Sequence, residues 1–241
     1  MKVSIVVPAF NEERLLATSL RVIQESRKQF EKRGWSTELI VCDNNSTDRT
    51  AEIARAAGAQ VVFEPVNQIS RARNAGAAAA TGDWLVFIDA DSAPSPELFS
   101  EVCGEIEGGK TVAGGSTVAF REAALAPRLA LGAWNVVSRA ARWAAGSFMF
   151  CETAAFRRVG GFSEELFASE ELDLYRRLKR LARREGRRIV ILHRHPIVTS
   201  ARKAELYTWG EMGLFVFRTL LAPKRTLRSR EACYSWYDGR R

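Results

Sequence analysis

The chain has 241 residues, of which 46% are hydrophobic, so it can bury a sizeable core and is not an intrinsically disordered protein. Its net charge of +8 is unevenly distributed. Residues 1–120 carry 12 Lys and Arg against 16 Asp and Glu, a balance of −4, whereas residues 121–241 carry 24 against 12, a balance of +12. The basic half can attract nucleic acid, anionic lipid or an anionic substrate. It contains no recognised nucleic-acid-reading motif, so we expect no specific nucleic-acid partner.

Cysteine usage and the N-terminal segment predict a cytoplasmic protein. The cysteines have no CxxC spacing and read as ordinary reduced thiols; they are Cys42, Cys103, Cys151 and Cys233. The apolar run at the start of the chain is short and contains Pro8, which argues against a secretory signal. No stretch reaches the roughly 18 uncharged apolar residues of a transmembrane helix.

The N-terminal half alternates strand and helix patterns. Short runs rich in Val, Ile and Phe predict buried strands over residues 3–8, 38–43, 59–64 and 83–89. Helical patterns lie between them, over residues 13–33, 48–57 and 69–82. This alternation predicts an α/β fold, with a mostly parallel, Rossmann-like central sheet that has helices on both faces.

The pattern changes after Gly114 and Gly115. Residues 121–145 are rich in Ala, Arg and Trp and predict a helix. Residues 146–162 predict a strand, a short helix and a glycine turn, and residues 168–186 predict a strong helix with an acidic start and a basic end.

The stretch "DWLVFIDADSAPSP" (83–96) ends a predicted strand with two aspartates, Asp89 and Asp91. Ligands of open α/β sheets bind at the carboxyl ends of the strands, so these carboxylates stand where a ligand is expected. Hard oxygen ligands suit Mg²⁺ or Mn²⁺. Because turns at strand ends often carry Asp, the triplet alone is weak evidence for a metal.

An ordered set of motifs resembles the family 2 glycosyltransferases of the GT-A fold. These motifs are "VSIVVPAFNEE", "VCDNNSTDRT", "SRARNAGAAAATGDWLVFIDADSAPSP", "VGGF" and "SEELDLYRRL", and they span about residues 3 to 180. The resemblance implies one integrated domain. Within it we expect a nucleotide-sugar-binding half over residues 1–115, an acceptor-binding and catalytic-base half over residues 116–203, and a basic, amphipathic C-terminal extension over residues 204–241.

The resemblance also implies roles for residues that match the family motifs. The nucleotide-binding set is Pro8, Phe10, Glu12, Asp43, Arg73, Asp89 and Ala90. Asp91, together with Asp89, is expected to hold Mn²⁺ or Mg²⁺ at the diphosphate, since a cation stabilises the negative charge that develops on a leaving diphosphate. By itself, Asp43 also reads as a turn residue and Arg73 as a solvated helix charge.

A second pair of carboxylates, Glu170 and Glu171, heads the helix predicted over residues 168–186. Helical spacing aligns Glu171 with Leu174 and the later leucines of an apolar stripe, whereas Glu170 shares a face with Asp173. The resemblance implies a general base at the second position of the pair, which is Glu171. The family usually has Glu-Asp there, so the choice between Glu170 and Glu171 stays open.

Three further residues are weaker candidates for ligand contacts. His193 and His195 follow an apolar strand and either complete the metal site or form a polar edge. Arg202 either closes over the diphosphate as a bidentate partner or is exposed.

Residues 205–230 join an aromatic apolar helix to basic residues, which is typical of a helix at the inner face of a cell membrane or of a core helix with a basic loop.

The leading hypothesis is a metal-dependent, inverting glycosyltransferase that uses a UDP- or GDP-linked sugar and a hydroxyl acceptor. The basic half makes an anionic or lipid-linked acceptor a secondary hypothesis. The alternatives are a sugar-nucleotide-binding protein of the same fold that has lost turnover and a sugar nucleotidyltransferase. The sugar nucleotidyltransferase is disfavoured because "PAFNEE" stands where such an enzyme is expected to have a Gly-rich phosphate loop.

Overall fold

A computed structural model describes residues 1–201, 218–219, 221–234 and 237 of the chain. Its strands are β1 (Lys2–Ala9), β2 (Ser36–Asp43), β3 (Gln60–Phe63), β4 (Trp84–Ile88), β5 (Ser92–Ala93), β6 (Thr111–Phe120), β7 (Phe148–Glu152) and β8 (Arg188–Thr199). The helices are α1 (Leu16–Glu31), α2 (Thr50–Ala56), α3 (Ile69–Ala79), α4 (Pro96–Glu107), α5 (Leu125–Ala141), α6 (Thr153–Arg158), α7 (Glu170–Arg184) and α8 (Pro223–Leu227).

The described strands form one eight-stranded sheet in the order β3-β2-β1-β4-β7-β6-β8-β5. The first four strands are parallel, as the sequence predicts. β7 lies antiparallel between β4 and β6, β6 and β8 are parallel, and the short β5 pairs antiparallel with the end of β8. The sheet is therefore mixed, and both halves of the chain contribute strands to it.

Helices cover both faces of the sheet, which confirms the predicted layers. Val3, Ile5 and Val7 of β1 belong to a core cluster that includes apolar residues of α1, α2 and α4. Val6 points to the other face, where the cluster includes residues of α3, α6 and α7. This alternation along β1 is the period of two expected for a strand buried on both sides.

The predicted elements of the basic half are present in the structure. α5 occupies the predicted helix over residues 121–145. β7, α6 and the left-handed Gly160 and Gly161 correspond to the predicted strand, short helix and glycine turn. Among the described helices, none is both long enough and apolar enough to cross a membrane.

The described part of the C-terminal extension packs on the protein. Leu227, Cys233 and Tyr237 form a small apolar cluster with Phe167 and Ala168, just before α7. The predicted aromatic apolar helix lies almost entirely outside the described residues.

Gly82, at the turn that leads into β4, packs so closely against β1 that a side chain would not fit there. A Cβ atom there would lie 2.8 Å from the backbone nitrogen of Ser4 and 2.9 Å from the backbone oxygen of Lys2. We expect Gly82→Ala to lower the free energy of unfolding by about 1–3 kcal/mol, because the backbone of β1 must shift. Gly104→Ala on α4, where a Cβ atom meets nothing within 4 Å, should instead raise it by about 0.5–1 kcal/mol. Urea denaturation of both variants measures this difference; equal midpoints would contradict it.

Candidate active site

An open cleft lies at the carboxyl ends of β1, β2 and β4, where the sequence predicts a ligand site. It is lined by Pro8, Ala9, Phe10, Glu12, Asn44, Asn67, Ile69, Asp89, Ala90, Asp91 and Tyr237. Loops that follow neighbouring parallel strands meet at the same sheet edge, which explains why residues far apart in sequence share this cleft.

The loops that follow β1 and β2 are tied to each other by hydrogen bonds. The backbone N–H of Asn11 donates to Ser46 Oγ (3.0 Å), and Asn11 Oδ1 accepts from the N–H of Thr47 (2.8 Å). The N–H of Glu12 donates to Thr50 Oγ1 (2.8 Å). Asn11 and Asn45 have φ values of 52° and 65°, a left-handed conformation that is unusual outside glycine but most accessible to Asn and Asp. The rim of the cleft is therefore held in one defined backbone conformation.

A third loop is held to the cleft by Asn44, which is buried. Its Oδ1 accepts from the N–H of Gln68 (2.9 Å), and its Nδ2 donates to the carbonyl of Val66 (2.6 Å). These bonds fix the segment that carries Asn67 and Ile69 into the cleft.

Asp89 and Asp91 both line the cleft, immediately after β4. Asp91 Oδ1 accepts from Thr199 Oγ1 (3.2 Å) at the end of β8 and from Ser92 Oγ (3.4 Å). Mg²⁺ sites that serve phosphate substrates use one or two protein carboxylates, with the remaining ligands supplied by phosphate oxygens and water. Two carboxylates at the edge of an open cleft fit such a divalent cation.

The structure does not bring the histidines to this aspartate pair. His195 Nδ1 is paired with Glu101 of α4, and His193 is exposed and lines a separate groove between α4, α5 and β8. Thr199, the residue of β8 that reaches Asp91, lies four positions after His195, which is about 13 Å along an extended strand. The described residues contain no group of three or more His, Cys, Asp or Glu side chains that could hold a metal. Of the two interpretations of the histidines, the polar edge agrees with these contacts.

Arg73 of α3 joins the cleft to the start of α7. Its side chain is 1% exposed, and its guanidinium donates to Asp89 Oδ1 (2.9 Å), Glu170 Oε1 (2.7 Å) and the carbonyl of Gly146 (3.0 Å). It also lies 5.3 Å from the ring centroid of Phe162, a cation–π contact. The interpretation of Arg73 as a solvated charge is wrong. It lies behind the cleft, as the buried partner of two site carboxylates.

Of the two glutamates at the start of α7, Glu170 and not Glu171 is the more buried, which is the reverse of the prediction. Glu170 is 4% exposed, is the more buried of the pair and lies one i,i+4 step before Leu174 of the buried stripe. Glu171 is only partly buried. The assignment of Glu170 to the polar face is therefore wrong, and the buried position is tolerated because the carboxylate is ion-paired with Arg73.

Glu171 has a perturbed titration. Burial, followed by the neighbouring charge of Glu170, raises the pKa of Glu171 to about 8, and Arg73 opposes the rise. Ser169, immediately before the pair, adopts a left-handed conformation with φ of 61°. Displaced pKa values and backbone strain are both enriched at functional sites.

The predicted nucleotide-binding residues divide into two groups. Those that line the cleft are Pro8, Phe10, Glu12, Asp89 and Ala90. Arg73 and Asp43 do not line it: the buried carboxylate of Asp43 accepts from the N–H of Ser46 (3.0 Å) and closes a turn. Arg202 lies outside the described residues.

Five residues that line the cleft were not among the site residues predicted from the sequence: Ala9, Asn44, Asn67, Ile69 and Tyr237. Ala9 and Asn44 adjoin predicted strand ends, so their positions gave a signal. Tyr237 gave none, because its position depends on a long-range contact: its hydroxyl donates to the carbonyl of Phe167 (2.9 Å).

The sheet and the strand-end cleft with its two aspartates define an open α/β protein of the kind that binds ligands at the carboxyl ends of its strands, with a candidate cation site. Residues 4–164 match the Glycosyl transferase family 2. The chain belongs to this family.

Relatives and solved structures agree with this assignment. The chain is 36% identical over 107 residues to an uncharacterized glycosyltransferase of Mycobacterium bovis, and 32% identical over 124 residues to a dolichol-phosphate mannosyltransferase of Pyrococcus furiosus. These matches cover 44% and 48% of this chain, but only 44% and 33% of those proteins. The matched region therefore spans less than half the length of either relative.

Two solved structures share the fold. A mannosyltransferase of Pyrobaculum calidifontis, solved with GDP-Man and Mn²⁺, has a TM-score of 0.67 at 21% identity, with 96% of this chain and 64% of that chain covered. A glucosyl-3-phosphoglycerate synthase of Mycobacterium tuberculosis, solved with Mn²⁺, UDP and phosphoglyceric acid, has a TM-score of 0.61 at 25% identity, with 92% and 78% covered. The predicted GT-A fold and family are confirmed.

Proposed function

We propose that this protein transfers a sugar from a nucleoside-diphosphate sugar to a hydroxyl acceptor, with inversion at the anomeric carbon and with Mn²⁺ or Mg²⁺ bound. One observation carries the proposal: the guanidinium of Arg73 binds Asp89 of the cleft and Glu170 of α7 at the same time. This bridge supports the proposal that the cleft and the glutamate pair act as parts of one site.

The donor is proposed to bind in the cleft, with its nucleoside beside the loops that follow β1 and β2. Asp91, with Asp89, would hold the divalent cation at the diphosphate. When bound, the cation stabilises the negative charge of the departing diphosphate as a Lewis acid. The similar proteins solved with GDP-Man and Mn²⁺, or with Mn²⁺ and UDP, support this choice of donor and metal.

Glu171 is the proposed general base. Glu170 is committed to the Arg73 ion pair, so Glu171 is the carboxylate better suited to accept a proton from the acceptor hydroxyl. The acceptor oxygen then bonds to the anomeric carbon while the bond to the diphosphate breaks, and the diphosphate leaves with the electron pair. Attack from the face opposite the leaving group inverts the configuration.

The first test is Asp91→Ala, assayed with a panel of UDP- and GDP-linked sugars and Mn²⁺. We expect the wild-type protein to bind one donor in a metal-dependent manner. We expect the variant to lose at least about 100-fold in turnover, because metal stabilisation of the leaving group is worth several kcal/mol. Calorimetry measures donor binding, and release of the nucleoside diphosphate measures turnover.

Glu25→Ala serves as the control, since Glu25 is an exposed carboxylate of α1 that pairs with the neighbouring, exposed Lys28. The control should match the wild type. Full turnover by Asp91→Ala would contradict the proposed metal site. Metal-dependent donor binding with no hydrolysis and no transfer to any acceptor extract would support the alternative of a binding protein.

A further inference from the structure

α5 exposes several large apolar side chains to solvent, while Leu131 packs inward against the core. Leu125, Leu129, Val136 and Val137 are 72%, 65%, 68% and 46% exposed, and Ser138 is the one buried residue of the helix. A surface helix of a globular protein normally carries charged and polar residues on its outer face. The outward face of α5, defined here by these four exposed residues, is therefore an apolar surface.

The helix is anchored in this orientation by its polar residues. Asn135 Oδ1 accepts from the N–H of Val118 (3.0 Å), while its Nδ2 donates to the carbonyl of the same residue (2.8 Å). Ser138 Oγ donates to the carbonyl of Trp143 (2.6 Å). Because a side-chain amide that satisfies both backbone groups of one β6 residue fixes the rotation of the helix, the exposure of the apolar face is built into the fold.

Basic side chains surround the C-terminal end of α5. Lys179 of α7 donates to the carbonyl of Ala141 and lies 5.4 Å from the ring centroid of Trp143. Burial lowers the pKa of Lys179, and the charges of Arg183, Arg142 and Arg176 lower it further, so these cations lie close together.

α5 itself contains Arg128 and Arg139 and no acidic residue. Across the adjoining groove, the carboxylates of Glu101 and Glu105 are engaged by His195 and Arg188. The end of α5 therefore has an excess of positive charge.

We propose that the outward face of α5 docks on an anionic lipid bilayer, with its leucine and valine side chains in the headgroup and acyl boundary and its arginines on the lipid phosphates. A helix of 17 residues, about 25 Å long, with an apolar face and flanking arginines has the features of a helix that lies in the plane of the interface. Anionic headgroups complement the clustered cations. The proposal concerns binding alone and holds whether or not the proposed sugar transfer is correct.

Co-sedimentation of the full chain with lipid vesicles tests this docking. We expect binding to phosphatidylcholine vesicles that contain phosphatidylglycerol, weaker binding to pure phosphatidylcholine, and release as salt is raised, because headgroup attraction is screened. The double variant Leu129→Asp/Val136→Asp should bind at least about tenfold more weakly, since both charges would enter the apolar boundary. Phe63→Asp, which places one aspartate at an exposed apolar position on β3, away from α5, is the control and should bind like the wild type.

A second variant, Arg139→Gln/Arg142→Gln, keeps the apolar face and removes charge only. It should lose affinity for the anionic vesicles while keeping the wild-type circular dichroism spectrum and melting temperature. No binding of the wild type to anionic vesicles, or equal binding by Leu129→Asp/Val136→Asp, would overturn the proposal. A dimer that Leu129→Asp/Val136→Asp converts to a monomer in sedimentation velocity, without vesicle binding, would instead assign the face to a second copy of the chain.

Discussion

Glu171→Gln is expected to lower turnover by about 10²–10⁴-fold, the usual contribution of a general base, while donor binding stays close to that of the wild type and stability does not fall. Gln has nearly the same shape but cannot accept the proton of the acceptor hydroxyl. Glu171→Asp restores the Glu-Asp pair that is usual in the family, and we expect it to keep much of the activity. Single-turnover transfer, with donor affinity measured separately, distinguishes a loss of chemistry from a loss of binding.

Glu170→Gln is the matched comparison. It removes a carboxylate at the adjacent position but acts on the Arg73 ion pair, so its main effect should be on the free energy of unfolding. If Glu170→Gln abolished transfer in a folded protein while Glu171→Gln remained fully active, the base would be Glu170.

The pH dependence provides an independent check on Glu171. Since burial and Glu170 raise the pKa of Glu171 to about 8, and a base works only when ionised, kcat/KM should rise with pH through about 8. The effect on stability has the opposite sign: the folded protein holds this proton more tightly than the unfolded chain does. The contribution of Glu171 to stability is therefore complete below its ordinary pKa of 4.5 and is lost as pH rises through about 8. If kcat/KM of Glu171→Gln still rose with pH through about 8, the assignment of Glu171 as the general base would be contradicted.

Arg73→Met is expected to lower the free energy of unfolding by about 3–5 kcal/mol. The substitution leaves Asp89 and the buried Glu170 without their shared cation, and breaking a buried ion pair costs that much because the remaining charge is uncompensated. Part of the lost stability should return as pH is lowered and the stranded carboxylates are protonated. Urea denaturation at neutral and mildly acidic pH measures both effects.

Arg71→Met is the control on the same helix. Arg71 also pairs with two carboxylates, Glu64 (3.0 Å) and Glu164 (2.8 Å), but its side chain is 34% exposed, so its loss should cost only about 0–1 kcal/mol. The double variant Arg73→Met/Glu170→Gln should be more stable than Arg73→Met alone, because it removes one of the stranded charges. Equal destabilisation by Arg71→Met and Arg73→Met would show that the buried ion pairs of Arg73 contribute no more to stability than the exposed ion pairs of Arg71.

The part of the fold that could be predicted is the part that depends on local pattern. β1 to β4 and the helices between them follow from short apolar runs and helical spacing, and Asp89 and Asp91 follow from their place at a strand end. The family resemblance added the candidate base, whose role stays a proposal. The antiparallel insertion of β7 between β4 and β6 has no local signature, because a run of apolar residues does not specify its neighbours.

The predictions from sequence that the structure corrects concern burial and long-range pairing. Glu170 and Glu171 both satisfy the spacing of the apolar stripe of α7, so periodicity could not tell which one faces the core. In the folded protein, Glu170 is the one that pairs with Arg73, 97 residues away in the sequence. His195 was a candidate metal ligand by its residue type, but the course of β8 brings it to Glu101 instead.

By itself, the sequence determined the α/β class, the family and the carboxylates at the edge of the sheet, because strand and helix periods and strand-end chemistry are encoded within a few neighbouring residues. Only the tertiary structure decided that Arg73 is buried between Asp89 and Glu170, that Tyr237 returns to the cleft and that α5 turns Leu125 and Leu129 outward. The physical reason is that burial and ion pairing depend on which strands become neighbours. That choice is made by the packing of the whole sheet, not by any single stretch of the chain.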